Sequence, residues 1–196
     1  MLLQHLIDAT GLLALSLNVS GMVSRDDRAL VRTGGWASAL WALNNLLMGA
    51  QAAAALSALS VGRQASASVL QDRPGSLKTL AFAVFILATV VAASLTWTGV
   101  GSAFMLAGSV TATYAVFYLQ GAGLRLAMVL VNALWLYNAL AYDSWWQIAA
   151  SVLGGGSAAI AAWHACPGGR SPLAHCRVDD DSAAPTSKTT RPESIT

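Results

Sequence analysis

The sequence predicts an all-α integral membrane protein of seven transmembrane helices, in which two parallel three-helix units are joined by a linker helix (3+1+3). Three observations predict it. Apolar residues make up 56% of the 196-residue chain and charged residues only 10%, against about 25% charged in ordinary soluble domains. So few charges cannot clothe a water-facing surface, and the bilayer is the natural solvent. Next, the chain divides into seven apolar stretches, each close to the ~20 residues a helix needs to cross the hydrocarbon core. Finally, the chain matches itself at an offset of 94 positions. Ala39-Leu40-Trp41-x-x-Asn44-x-Leu46 lands on Ala133-Leu134-Trp135-x-x-Asn138-x-Leu140, and Thr33 to Ala67 gives 11 identities in 35 positions. Chance in so Ala- and Leu-rich a chain would give about 3 or 4, so the pattern reads as a duplicated unit.

The spans fall at 2–23, 30–48, 51–67, 77–97, 100–119, 124–142 and 145–163. The first lacks the cationic start and cleavage site of a removable signal and is expected to be retained. Short polar breaks separate the rest: Arg25-Asp26-Asp27-Arg28, Gly49-Ala50, Gln71-Asp72-Arg73-Pro74-Gly75, Thr98-Gly99, Gln120-Gly121-Ala122-Gly123 and Asp143-Ser144. The third span, rich in Ala and Ser with Arg63 near its end, is the least apolar. Its repeat partner, the seventh, supports it.

Seven crossings place all 11 Lys and Arg on one side. The positive-inside rule makes that side cytoplasmic, with the N-terminus outside and the tail inside. Three crossings end opposite where they began, so a second copy would insert upside down without one more. The unpaired fourth span supplies it, and the units become parallel about an axis along the membrane normal. The expected organisation is 1–70 as the first unit, 71–98 as linker loop and helix, 99–164 as the second unit and 165–196 as a tail. Four prolines, Asp179-Asp180-Asp181 and many Ser and Thr give the tail nothing to bury, and it is expected to be disordered in the cytoplasm.

The sixth span carries Asn132, Trp135, Asn138 and Tyr142 as a stripe on one helix face, and the second carries Ser38, Trp41, Asn44 and Met48. An amide facing lipid would leave its donors and acceptors unpaired at a cost of several kcal/mol, so both stripes should face inward. In one reading Trp41, Asn44, Trp135 and Asn138, with Asn132 and Tyr142, line a central site where amides bind a polar solute and indoles stack on it. In the other the amides clamp helix to helix. Asn18, Asn45, Gln120 and Gln147 are further single polar groups in or near spans, and Arg63 is expected to snorkel to the cytoplasmic face, the alternative being that it pairs with something inside. Gly154-Gly155-Gly156 suits close helix packing. Asp8 and Asp143 lie toward the outer side, and no carboxylate sits at mid-membrane depth to relay protons.

No histidine pair faces the bundle centre, which argues against a b-type haem, and no cofactor is expected. In the tail His164, Cys166, His175 and Cys176 match no familiar zinc spacing, so idle reduced thiols are expected instead of a metal site. A net charge of +2 without a basic stripe speaks against nucleic acid. Nucleophile–base pairs, phosphate-cradling loops and paired carboxylates are missing from the sequence, so an enzyme is not expected. Gly- and Ala-rich faces would allow a homodimer.

The first span ending in Arg25-Asp26-Asp27-Arg28, Asn44-Asn45-Leu46-Leu47-Met48-Gly49 closing the second, Arg63 late in the third and Trp135-x-x-Asn138 in the sixth resemble the bacterial inner-membrane YgjV-like family. The resemblance covers residues 1–165 and implies a multi-spanning protein of the inner (plasma) membrane, without an assigned activity or site residue. In architecture the chain is similar to SWEET and PQ-loop carriers, which implies alternating-access movement of a small polar solute. It departs from them in its prolines, at 74, 167, 172, 185 and 192, all outside the spans; any bending must rest on glycine. The expected function is small-solute transport, and the alternative is a non-transporting scaffold or accessory protein.

Overall fold

The computed structural model describes residues 1–24, 26–70 and 73–164. Seven helices account for nearly all of them: α1 (Leu2–Val23), α2 (Asp27–Leu47), α3 (Gln51–Leu70), α4 (Gly75–Leu95), α5 (Val100–Tyr118), α6 (Gly121–Ala141) and α7 (Trp145–His164). Each has 19 to 22 residues, which at 1.5 Å per residue is about 30 Å, the thickness of the hydrocarbon core. The protein is an all-α membrane protein with seven helices. The tail expected to be disordered lies outside the described residues.

Local chemistry sets the helix ends. Asp26 caps α2, its side chain accepting from the Arg28 backbone N–H at 2.9 Å, and Asp27 adds negative charge to the first turn, where the helix dipole favours it. The helix therefore starts three residues before the apolar pattern does. At its other end Gly49 adopts φ 78°. Ala50 donates to the Asn45 carbonyl at 2.9 Å and Gly49 to that of Leu46 at 3.1 Å, the paired bonds of a Schellman termination. The α6–α7 turn repeats this: Ser144 donates to the Ala139 carbonyl at 3.0 Å and Asp143 to that of Leu140 at 3.4 Å. Asp143 there takes φ 49°, the only positive φ outside glycine among the described residues. Both of these donor–acceptor pairs in one turn are the other's shifted by 94 positions.

Short connections make consecutive helices antiparallel neighbours. Six helices form a closed ring in the order α1, α2, α3, α5, α6, α7, with α7 returning to α1. The fourth helix stands outside, packed on α3 and α5. Its outward residues, including Leu80, Val84, Leu87, Val91 and Leu95, are exposed, as suits a face solvated by lipid.

By length and composition α1, α4, α5 and α6 are apolar enough to cross a membrane. The other three are equally long but carry more polar residues, and much of that polarity points inward. Ser57, Ser60 and Arg63 of α3 and Gln147 and Ser151 of α7 are all buried. Hydropathy averaged around the whole circumference understates such a helix, because its lipid-facing strip is only part of it.

Candidate functional site

A cavity of about 130 Å³ occupies the centre of the ring, with wall residues from all six ring helices and none from α4. That is below the ~300–1,000 Å³ of pockets for drug-sized ligands and suits a small solute or a few waters. Two apolar clusters bracket it. Met22, Leu30, Val31, Leu124 and Met128 gather where α1 ends and α2 and α6 begin. Ala50, Ala53, Leu56 and Met105 gather where α3 and α5 begin, with Trp135 and Tyr142 packed against them. The chamber thus lies between two hydrophobic layers.

The inward stripes divide between wall and clamp. Trp41, Trp135 and Asn132 line the cavity with Ser38. The Trp135 indole can lie against α5 because residue 108 is glycine; a Cβ there would meet its Cδ1 and Nε1 at 3.1 Å. Asn44 and Asn138 are outside the wall. The fully buried Asn44 donates through Nδ2 to the Ile7 carbonyl at 2.8 Å and Thr10 Oγ1 at 3.0 Å, tying α2 to α1. Asn138 donates to Gln147 Oε1 at 3.4 Å, tying α6 to α7. Tyr142 packs on the apolar cluster around Leu56. Of the single polar groups, Asn18 and Gln147 line the cavity, whereas Asn45 is buried with its Nδ2 unpartnered.

Arg63 is in the wall rather than at the surface. It is 6% exposed and reaches across to α5, with Nη1 donating to the Ser109 carbonyl and Thr113 Oγ1, both at 3.0 Å. Its Nη2 donates to Ser60 Oγ at 3.0 Å, and its Nε–H has no partner. Gln64 beside it holds Ser38 Oγ at 3.1 Å, bridging α3 and α2. The α3 helix runs on to Leu70, three residues past the apolar stretch, which puts Arg63 about 4–5 Å deeper than the sequence suggested.

The other buried guanidinium is structural. Arg125 donates to the Met22 and Ser24 carbonyls at 3.1 and 2.8 Å, capping the end of α1, and pairs with Asp27 at 3.3 Å. The second carboxylate oxygen of Asp27 accepts from the Gly121 N–H at 2.7 Å. At the opposite face Asp8 accepts from Trp146 Nε1 at 2.9 Å and from Gln4 at 3.3 Å, closing the α1–α7 seam.

The wall offers unused hydrogen-bonding capacity. The Asn18 amide and the Nε1–H groups of Trp41 and Trp135 make no hydrogen bond among the described residues, and Asn132 uses only its Nδ2, on the Met128 carbonyl at 2.8 Å. No group of three or more metal-ligating side chains occurs among the described residues. The wall also carries the 94-residue spacing: Trp41 and Trp135, Ser38 and Asn132, Ser57 and Ser151, and Ala37 and Val131 are four such pairs.

Residues 5–161 match the family of bacterial inner membrane proteins designated Imp-YgjV, and the chain belongs to that family. No curated protein and no solved structure matched the chain significantly.

Proposed function

We propose that this Imp-YgjV family protein is a carrier for a small polar solute, held at the centre of the six-helix ring and released alternately to either side of the inner membrane. One observation carries the reading: an interior chamber with unpaired amide and indole groups, lying between two apolar clusters. Buried polar groups cost several kcal/mol when unpartnered in hydrocarbon, so a fold that keeps them around a cavity needs something there to pair with. Water could meet that need, and a solute would replace it.

The duplication supports the same reading. Exchanging α1–α3 with α5–α7 leaves the order of helices around the ring unchanged, and turn bonds and wall residues repeat at the same offset. Two like units around a central site can rock against each other, as in carriers built from parallel repeats. In this arrangement all seven helices cross, the N-terminus is outside and the tail cytoplasmic, and α4 serves to turn the chain.

A second reading is favoured by the two asparagine clamps, which would suit a rigid, non-transporting scaffold. Single cysteines separate the two readings. With Cys166 and Cys176 replaced by Ser, Ser57→Cys and Ser151→Cys put a nearly isosteric thiol into the chamber wall. A carrier exposes these thiols to membrane-impermeant reagents, in some state, from each side in turn. Protection from both sides under all conditions would leave the scaffold.

A further inference from the structure

We infer that the chamber takes a small oxyanion, a carboxylate or phosphate group, and that Arg63 is the residue that holds it. This rests on the chamber being a solute site and adds the chemical class of the solute.

A guanidinium carries five N–H donors and a charge that it keeps in proteins. Arg63 spends three donors on two neutral side chains and a carbonyl. Its Nε–H, on the side edge that Nε shares with Nη2, has no partner although the atom is buried, so an oxyanion reaches that edge only when the side chains over it give way. That edge is one of the two by which arginine grips a carboxylate or phosphate through paired bonds. No carboxylate among the described residues answers the charge. Within the helices Asp27 is taken by Arg125 and Asp8 by Trp146 and Gln4. An uncompensated cation inside a membrane bundle is costly and marks a functional position by default.

The surroundings fit an anion with a small polar or planar body. Trp41 and Trp135 contribute aromatic surface to the wall, and Gln64 is already oriented on Ser38. The charge is also a departure from the repeat. Positions 63 and 64 correspond at the offset of 94 to Ser157 and Ala158, so the second unit provides no second cation. The site holds one negative charge, at one wall.

The test uses the full chain purified in detergent, with lactate, lactamide and inorganic phosphate as probes. Lactate and phosphate replace chloride at constant ionic strength, and thermal unfolding reports binding, since a ligand for the native state raises the melting temperature. Lactate or phosphate should give a saturable rise and lactamide one at least tenfold weaker in concentration. Arg63→Gln should abolish the rise. Arg63→Lys, which keeps the charge without the fork, should weaken it tenfold or more. If Arg63→Gln fails to fold, the lysine variant and the lactate–lactamide comparison still decide. Nanodiscs with and without phosphatidylglycerol separate the sources. A lactate response lost when the anionic lipid is added identifies a lipid headgroup as the occupant, and a response unchanged by it identifies a soluble anion. Equal responses to lactate and lactamide, a lactate response unaltered by Arg63→Gln, or silence of all three probes would overturn the oxyanion assignment. The chamber reading beneath it falls only if the thiols at 57 and 151 are also protected from both sides.

Discussion

Asn44 and Asn138 are equivalent in the sequence repeat but unequal in the structure, and that inequality gives a quantitative test of the clamp role. Asn44 makes two interhelical bonds, at 2.8 and 3.0 Å, while its Oδ1 has no partner. Interhelical side-chain bonds in membrane proteins contribute about 0.6 kcal/mol on average and up to about 1.7, so Asn44→Ala loses about 1–3 kcal/mol. Removing the orphaned Oδ1 returns up to about 1 kcal/mol, for a net loss of about 1–2 kcal/mol. Asn138 makes one long bond of 3.4 Å, and its replacement by Ala should cost under about 1 kcal/mol. Equilibrium unfolding in mixed SDS–dodecylmaltoside micelles measures both. Probe binding by either folded variant should be unchanged, because neither amide is in the chamber wall. An Asn138→Ala loss as large as that of Asn44→Ala, or a folded variant that no longer binds, would refute the assignment.

The two matching turns should respond in opposite senses. A Cβ at Gly49 meets nothing within 4 Å, so Gly49→Ala suffers only the φ of 78° and should cost about 1–2 kcal/mol. Asp143→Gly relieves the same strain, less the added entropy of the unfolded chain, and should stabilise by about 0.5 kcal/mol; both changes are read as shifts in melting temperature. Asp27→Asn removes the charge between Arg125 and the Gly121 N–H and should cost about 2 kcal/mol. The check on it is the SDS unfolding midpoint, which should fall, while the Arg125 bonds to the α1 carbonyls keep the variant folded.

Much of this was legible in the sequence because membrane helices announce themselves. Apolar runs of ~20 residues broken by a few polar ones left little freedom in number or position, and all seven helices fall where those runs do. The asparagine–tryptophan stripes were legible as inward faces, but not which neighbour each would meet. A step of three residues turns a helix 60° short of a full circle, so a stripe spaced by threes drifts around it. Trp41 therefore looks into the cavity while Asn44, one step on, meets α1. Arg63 departs from its preferred expectation for another reason. An arginine near the end of an apolar stretch ordinarily extends to the interface, and nothing in the residues 68–70 that follow showed that α3 continues to Leu70. The acceptors that keep it inside, Ser109 and Thr113, lie 46 and 50 positions away.

A chamber with true twofold walls would accept a lopsided guest equally well in two poses, head to either side, and a carrier would deliver it in a random attitude. Here the paired tryptophans and serines supply the even-handed shell, while Ser60, Arg63 and Gln64 of α3 line the wall and their counterparts at the offset of 94, Gly154, Ser157 and Ala158 of α7, do not. That imbalance would lift the degeneracy: a solute of the proposed class would have one preferred way to lie, with its charged end toward the third helix.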